Sequence, residues 1–386
     1  YMKIAILSNV NLDMLIQMKS KTYDVFQTQG YGQWIHYALN TDEELNMFNP
    51  KCIFVLIDGF ALLESFDNTD AGRAEIDKTM MLLDSLANRY SNFEIAISTI
   101  NIRSRRIRPA DEDFIETVWI NYWNEKLKLI VAENKNVHRF ELNRYISEIG
   151  ENAFYSDKMW YMGSIPYSLN GLTLLSAAID EFLTKLELIR KKVLVLDLDN
   201  TLWGGVLGED GINGIVLGTS HLGAVYRDTQ KRIKELKNLG VLLAIVSKNN
   251  LEDVIEVFRK NEQMVLNEDD FVAIEANWDD KAINIQKLAQ RLNLGLDSFV
   301  FLDDNDIERE AVAQTLPEVT VPPFPKDVSD LPKTIYDIYK KYYWQWTTTN
   351  EDKMKTEQYK NEELRHQALK EMANMDDYLL SLNMKI

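Results

Sequence analysis

The chain has 386 residues, which is too long for a single ordinary hydrophobic core. Of these residues 46% are hydrophobic and 27% charged, a composition typical of globular proteins. Its formal net charge of −17 argues against non-specific DNA or RNA binding, since phosphate backbones need a basic surface. No apolar run approaches the ~20 residues that span a bilayer, and the start has no signal-peptide layout. The single cysteine, Cys52, excludes an intrachain disulfide and fits a reducing cytosol, so we expect a cytoplasmic protein.

Strands and helices are predicted to alternate in the first half of the chain. Short β-rich runs bounded by polar residues predict strands at 3–7, 52–57, 93–98 and 137–142. Helical patterns lie among them, including 114–134 and 168–189. This alternation predicts a mostly parallel sheet covered by helices, ending near Lys191.

The second half repeats the alternation. Strands are predicted at 193–196, 241–246, 271–276 and 298–302, with helices at 224–240, from about 251, and at 281–292. A charged helix at 347–372 and the segment "DDYLLSL" at 376–382 follow. We therefore predict an α/β protein with two Rossmann-like parallel-sheet domains, at 1–190 and 191–340, and a C-terminal helical extension at 341–386.

Polar side chains follow the predicted strands of the second half, and they are Asp197, Asp199, Ser247, Asp303 and Asp304. Lys281 begins a predicted helix after another of these strands. Ligands of open parallel sheets bind beyond the carboxyl ends of the strands, so we expect these groups at one edge of one sheet.

Phosphoryl transfer is the chemistry that such groups suit. A carboxylate with a pKa of ~4 is ionised at pH 7 and can attack phosphorus without a separate base. Mg²⁺ relieves the repulsion between carboxylate and phosphate, and it prefers oxygen ligands. A serine and a lysine can bind phosphoryl oxygens, and a second carboxylate can protonate the leaving oxygen and then activate water.

Four segments carry a family resemblance: "DLDNTLWGG", "VSKNN", "NWDDKAINIQ" and "FVFLDDNDIERE". They resemble the four motifs of the haloacid-dehalogenase (HAD) phosphatase superfamily, and "DLDNTLWGGVLGEDG" resembles its FkbH-like branch in subfamily IIIC. The resemblance implies Asp197 as the nucleophile and Asp199 as the general acid and base. It implies Ser247 and Lys281 as phosphate ligands. The implied Mg²⁺ ligands are Asp197, the Asp199 backbone carbonyl and Asp304, with Asp303 beside them.

The resemblance also implies a narrower reaction. FkbH-like proteins are associated with moving a glyceryl unit from 1,3-bisphosphoglycerate onto an acyl carrier protein, while others are described only as phosphatases. The segment between Gly204 and Gly218 is too short for a cap domain and is interpreted as a hairpin flap. An uncapped site would admit a carrier-borne substrate, although small uncapped phosphatases also take small substrates.

The first half carries a second resemblance, in "KIAILSNVNLD", "YGQW" and "STINIR". These segments are similar to the SGNH-hydrolase-like domain that precedes the phosphatase domain in this family, with Ser8 at the nucleophile position. The hydrolase pattern needs a late Asp-x-x-His, yet Asp157 is followed by Lys, Met and Trp. The histidines elsewhere do not fit that slot, and they are His36, His138, His221 and His366. Without an imidazole to activate Ser8, we favour a binding or scaffold role over an active esterase.

Four arginines stand close together in "NIRSRRIRP", and they are Arg103, Arg105, Arg106 and Arg108. One interpretation is a solvated loop whose charges balance nearby carboxylates. The alternative is a docking patch for an acidic carrier protein or its phosphopantetheine.

The leading hypothesis is an enzyme, a Mg²⁺-dependent HAD-type phosphatase that works through an aspartyl-phosphate. Its expected partners are a phosphorylated small molecule and, in the narrower hypothesis, an acyl carrier protein, with no nucleic acid or membrane. The alternatives are a carrier-protein-binding scaffold with negligible turnover and an SGNH-type esterase. The intact set of carboxylates and Lys281 disfavours the first, and the missing histidine disfavours the second.

Overall fold

The computed structural model describes residues 1–371 except 27, 29, 31, 104 and 113, and it leaves the side chains of 363 and 366–371 undescribed. The chain divides into two units, Tyr1–Glu187 and Leu188–Ile386. Each unit contains a parallel sheet with helices packed on it, which confirms the α/β fold class. In the described part of the chain, none of the helices combines the length and hydropathy that a bilayer crossing requires.

The first unit is built on a parallel sheet with the strand order β2-β1-β3-β4-β5. Its strands are β1 (Lys3–Ser8), β2 (Asp24–Phe26), β3 (Cys52–Leu56), β4 (Glu94–Ser98) and β5 (Val137–Phe140). Its helices are α1 (Asp13–Lys19), α2 (Trp34–Leu39), α3 (Glu43–Phe48), α4 (Gly59–Leu63), α5 (Thr69–Arg89), α6 (Ile115–Glu133), α7 (Leu142–Ile149), α8 (Glu151–Phe154), α9 (Asp157–Gly163) and α10 (Leu169–Leu186).

Both faces of this first sheet are buried. Successive side chains of a strand point to opposite faces, so Ala5 and Leu7 of β1 join one core cluster while Ile4 and Ile6 join another. A strand that is covered on both faces consists of a continuous run of apolar residues, and such runs allow its position to be predicted from the sequence. Cys52 is fully buried at the start of β3, as expected of a small core residue.

The second unit is built on a parallel sheet with the strand order β8-β7-β6-β9. Its strands are β6 (Val193–Leu196), β7 (Leu242–Ser247), β8 (Phe271–Ala276) and β9 (Phe299–Leu302). Its helices are α11 (Leu207–Asp210), α12 (His221–Asn238), α13 (Leu251–Lys260), α14 (Lys281–Leu292), α15 (Asp306–Thr315), α16 (Leu331–Ile338) and α17 (Asn350–Glu371), with a π-helical turn at Tyr339–Tyr343.

The register of this second sheet aligns the carboxyl ends of its strands. Leu196 of β6 pairs with Ile245 of β7 on one side and with Leu302 of β9 on the other. The residues that follow these positions therefore emerge side by side at one edge. The strand alternates between two core clusters, with Leu194 and Leu196 in one and Val193 and Val195 in the other.

The predicted strands agree with the structure to within two residues at each end, and the predicted helices to within three. The strand β2 was not predicted, since three residues give too short a pattern. The segment 204–218 is not a two-stranded hairpin: it contains α11 and a single antiparallel bridge between Gly204 and Val216. The charged helix is present as α17, and "DDYLLSL" lies outside the described residues. The segment from 341 onward belongs to the second unit, and the three-domain division stays a prediction.

Candidate active site

The loop after β6 is shaped by an asparagine and a glycine. Asn200 has a φ of +53° and Gly205 a φ of +88°, values that asparagine and glycine tolerate best. The Asn200 Oδ1 accepts a hydrogen bond from the Gly205 amide at 2.9 Å, which closes the turn. This turn brings the Leu207 amide back to within 3.1 Å of the Asp199 Oδ1. The glycine-rich motif therefore positions the second of the two aspartates.

Lys281 lies between two buried carboxylates at the carboxyl edge of the second sheet. Its Nζ is 2.9 Å from the Asp197 Oδ1 and 2.5 Å from the Asp303 Oδ2. All three residues are at most 5% exposed. Removing one partner from such a buried arrangement would leave an uncompensated charge and typically costs about 3–5 kcal/mol.

A third carboxylate completes an acidic cluster. Carboxylate oxygens of Asp197, Asp303 and Asp304 all lie within 4.8 Å of one another. Lys281 offsets one of the three negative charges. When all three are ionised, the cluster keeps two uncompensated negative charges in a largely dehydrated place, which is an environment suited to a divalent cation.

The pKa values reflect this shortage of positive charge. Burial raises the pKa of Asp197 to about 7, although the Lys281 ammonium opposes that shift. Burial, followed by the charge of Asp303, also raises the pKa of Asp304. Burial lowers the pKa of Lys281, but Asp197 and Asp303 outweigh it, so the pKa is raised overall and the lysine is held as the cation.

A hydrogen-bond network joins the remaining predicted residues. The Ser247 hydroxyl, at the end of β7, hydrogen-bonds to the Asp197 carboxylate. The Asn249 Nδ2 donates to the Ser247 Oγ at 3.1 Å and to the Asp199 Oδ2 at 3.0 Å. The Trp203 indole donates to the Asp199 Oδ1 at 3.0 Å. The Asp199 carboxylate is thus fixed by donors from three places in the chain.

The donor set fits Mg²⁺. Mg²⁺ takes oxygen ligands and is bound by a few carboxylates together with substrate phosphate oxygens and water. The cluster of Asp197, Asp303 and Asp304 offers carboxylate oxygens, and two of these residues are buried. Asp199 is outside this cluster, since its side-chain oxygens accept from Trp203, Leu207 and Asn249. Any contribution of Asp199 to the metal falls to its backbone carbonyl, as the resemblance implies.

The structure brings together every site residue predicted for the second unit. Asn249 stands in the "VSKNN" motif and links Ser247 to Asp199, and it was not predicted as a site residue. The contact of Lys281 with Asp303 as well as Asp197 was not predicted either. The signal for Asn249 was present, since the residue lies two positions beyond a strand end.

The segment at 204–218, which contacts Asp199 through the Leu207 amide, is a short loop. Gly204 and Val216 exchange both backbone hydrogen bonds, at 3.0 and 2.7 Å, and close the base of the loop. Within the loop, the Asp210 carboxylate accepts from the Val206 amide at 2.8 Å. The insertion between β6 and α12 thus contains a helical turn and no sheet of its own.

The predicted nucleophile of the first unit has little space around it. Ser8 ends β1, is 8% exposed, and its Oγ accepts from the Val10 amide at 3.1 Å. The cavity that Ser8 lines has a volume of about 20 Å³, enough for roughly one water molecule.

Asp157, the residue aligned with the hydrolase Asp-x-x-His, is paired with arginines. The Arg105 Nη2 hydrogen-bonds to its Oδ1, and the Arg103 Nη1 lies 3.6 Å from the same oxygen. Within the described residues, His36 lies 3.6 Å from Asp42 and His138 lies 2.6 Å from Glu94. His221 belongs to α12 of the second unit, and the side chain of His366 lies outside the described residues.

The four arginines are mostly engaged by neighbouring side chains within the first unit. Arg106 contacts the Glu116 carboxylate at 3.2 Å, while Arg108 lies over the Phe114 ring. Arg105 pairs with Asp157. Arg103 is 4% exposed, so it offers no surface charge. These contacts favour the interpretation in which the loop charges balance nearby carboxylates.

Comparison with solved structures shows that the chain is similar to a phosphatase-containing protein. No protein-family model and no curated protein matches the chain. The crystal structure of the N-terminal part of the protein BF1531 from Bacteroides fragilis, which contains a phosphatase domain complexed with Mg, is 28% identical to it. The match covers 89% of this chain and 94% of that chain, with a TM-score of 0.73. Both units of this chain therefore have counterparts in a phosphatase-containing structure.

Proposed function

We propose that the second unit is a Mg²⁺-dependent, HAD-like phosphatase. The observation that carries the proposal is the buried group in which Lys281 contacts Asp197 and Asp303, with Asp304 in the same carboxylate cluster. The Mg-complexed phosphatase domain in the structural neighbour supports it. Asp197, Asp303 and Asp304 would hold the metal, with the Asp199 carbonyl. When bound, Mg²⁺ supplies positive charge that lets a carboxylate approach a phosphate.

In this proposal the Asp197 carboxylate attacks phosphorus, and the bond from phosphorus to the leaving oxygen breaks. Asp199 donates the proton that the leaving oxygen takes up. Asp199 then accepts a proton from water, which attacks the aspartyl-phosphate and releases phosphate and the original carboxylate. Ser247 and Lys281 hold the phosphoryl oxygens, where negative charge accumulates.

The test is phosphate release from p-nitrophenyl phosphate with Mg²⁺ present. Asp197→Asn removes the nucleophile and should abolish turnover, while Asp199→Asn should slow it by about 10²- to 10⁴-fold, the usual range for a general acid or base. Asp279→Asn is the matched control, because that carboxylate is exposed and pairs with Lys287 at 3.1 Å. Full activity in Asp197→Asn would refute the nucleophile assignment.

A finer proposal concerns the substrate. We infer FkbH-like loading of a glyceryl unit from 1,3-bisphosphoglycerate onto an acyl carrier protein, on the basis of the motif resemblance. The short loop at 204–218 supports it, because a site without a cap domain can accept a carrier-borne group. A cytoplasmic location fits such a metabolite. On the basis of the same family resemblance, we also propose that the first unit is an SGNH-hydrolase-like domain.

The finer proposal is tested by intact-mass analysis of a carrier protein incubated with the enzyme, Mg²⁺ and 1,3-bisphosphoglycerate. A glyceryl adduct that disappears with Asp197→Asn supports loading. Phosphate release without any carrier adduct leaves the plain phosphatase. Carrier binding without either reaction supports the scaffold alternative.

A further inference from the structure

Arg103 lies in an aromatic cage near the carboxyl edge of the first sheet. It follows β4 by five positions, and its side chain is 4% exposed. The guanidinium carbon is 4.6 Å from the Phe60 ring centroid, 4.7 Å from that of Tyr155 and 5.4 Å from that of Trp160. Cation–π contacts of this kind stabilise a desolvated cation, so the cage keeps Arg103 charged in a dry place.

The hydrogen-bonding capacity of this guanidinium is largely unused. The Arg103 Nε and Nη2 are both buried and have no hydrogen-bond partner among the described residues. The Nη1 is 3.6 Å from the Asp157 Oδ1, beyond ordinary hydrogen-bond distance, and that oxygen already accepts from Arg105. A buried donor without an acceptor typically costs about 1–3 kcal/mol, and more when it is charged. Such groups call for an acceptor that the chain does not supply.

The arrangement of the two unsatisfied nitrogens indicates the chemical class of the missing acceptor. The Nε–H and Nη2–H bonds of arginine point to the same side and form a fork that matches two oxygens of one carboxylate or phosphate. A ring stacked on a guanidinium leaves its in-plane N–H groups unsatisfied. The vacant fork therefore selects an oxyanion that binds side-on.

The position also suits a ligand. Phe60 follows β3, while Asn101 and Arg103 follow β4, and loops at the carboxyl ends of parallel strands are the usual place for ligands. The Asn101 Nδ2 donates to the Glu151 Oε1 at 2.7 Å, which fixes the backbone segment that carries Arg103. The helix α9 contributes Trp160 and Asp157 to the cage, and none of its residues is buried.

We propose that Arg103 is the centre of a binding site in the first unit for a ligand with a carboxylate or phosphate group. The ligand oxyanion accepts from Nε and Nη2, while Asp157 remains with Arg105. The residues that form this site all belong to the first unit. The site gives the first unit a binding role that requires no activated nucleophile.

The test follows the Arg103 Nε–Hε resonance in the ¹⁵N-labelled full chain during titration with inorganic phosphate and, separately, with acetate. A saturable shift supports the site, and the anion that causes it shows whether phosphate or carboxylate is preferred. The resonance is assigned by its loss in Arg103→Lys, which keeps the charge and removes the fork. Arg89→Lys is the control and should retain the shift, because the Arg89 guanidinium donates elsewhere, to the Ala38 carbonyl and the Thr41 hydroxyl.

A resonance that neither anion moves would overturn the proposal, with a buried water as the acceptor instead. A crystal soaked in phosphate gives a second measurement that does not depend on variant folding. Density for the anion within hydrogen-bond distance of Nε and Nη2 supports the site, whereas ordered water alone there overturns it. The readout is local to Arg103, so it stands or fails independently of phosphatase turnover.

Discussion

Asn249 connects the proposed acid and base to a proposed phosphate ligand. Its Nδ2 donates to both the Asp199 Oδ2 and the Ser247 Oγ. Asn249→Ala should lower kcat by about 10- to 100-fold, because misplacement of a catalytic group by about 1 Å has an effect of that order. The change should fall on kcat more than on KM, since Lys281 still binds the phosphoryl group. Steady-state kinetics with p-nitrophenyl phosphate would measure it.

The adjacent Asn250 gives a matched control. Its Oδ1 accepts from the Glu252 amide at 3.0 Å and caps α13. Asn250→Ala should cost about 1 kcal/mol of stability through the lost cap and leave kcat unchanged. Equal losses of turnover in the two alanine variants would show that the effect of Asn249 is structural.

Asp304 is the member of the proposed metal-ligand cluster for which the described residues show no ion pair with Lys281. Asp304→Asn should weaken Mg²⁺ binding at least tenfold, because a neutral amide replaces one of three carboxylates. Asp279→Asn should leave it unchanged. Calorimetric titration with Mg²⁺ measures both. Unchanged affinity in Asp304→Asn would remove Asp304 from the ligand set.

At the scale of elements, the turn after β6 depends on Gly205. Its φ is +88°, and an added Cβ would lie 2.5 Å from the Asp210 Oδ2. Gly205→Ala should therefore destabilise the protein by about 1–3 kcal/mol and lower turnover, since the turn positions the Leu207 amide at Asp199. An added Cβ at Gly208 would meet no other part of the chain within 4 Å, so Gly208→Ala should be nearly neutral. Urea unfolding of both variants tests the contrast, and equal stabilities would contradict it.

Most strands of the two sheets were predictable from the sequence, because a strand that is buried on both faces is a continuous run of apolar residues. The run from Val193 to Leu196 is fully buried and continuously apolar, so its assignment needed no tertiary information. The β2 strand has three residues and one exposed position, which is too little pattern to detect. The prediction of a hairpin at 204–218 was wrong, because amino-acid composition does not distinguish a single β-bridge with a helical turn from a two-stranded hairpin.

The site was predictable to the extent that topology positions it. Residues that follow neighbouring parallel strands emerge at the same edge, so Asp197, Ser247 and Asp303 could be placed together. The lateral contacts could not be predicted, because they depend on side-chain conformations. Lys281 and Asp197 are 84 positions apart, and only the packing of α14 against the sheet decides that they touch.

At the scale of the whole molecule, the proposals assign different functions to the two units. The second unit contains the carboxylate cluster, while the first unit contains Ser8 in a space for about one water molecule. We therefore predict that a serine-directed fluorophosphonate probe fails to label Ser8. Ser8→Ala should also leave phosphate release unchanged. Probe labelling followed by peptide mapping tests the first expectation, and steady-state kinetics tests the second.

Stoichiometric labelling that disappears in Ser8→Ala would restore the esterase hypothesis. Loss of phosphate release in Ser8→Ala would instead link the first unit to the proposed chemistry. Ser147→Ala is the control variant. Ser147 is a surface serine, and its hydroxyl donates to the Asn143 carbonyl at 2.8 Å.

The central claim is that Asp197 forms a covalent bond to phosphorus, and trapping that intermediate tests it most directly. In Asp199→Asn, p-nitrophenyl phosphate can still react, because its leaving group needs little help from an acid, whereas hydrolysis of the intermediate loses its base. Acid-quenched samples should therefore contain a phosphorylated peptide with the modification on Asp197. The modification should be absent in the double variant Asp197→Asn with Asp199→Asn. A variant that turns over p-nitrophenyl phosphate at a measurable rate with no modified peptide, or with the phosphoryl group on another residue, would contradict the account.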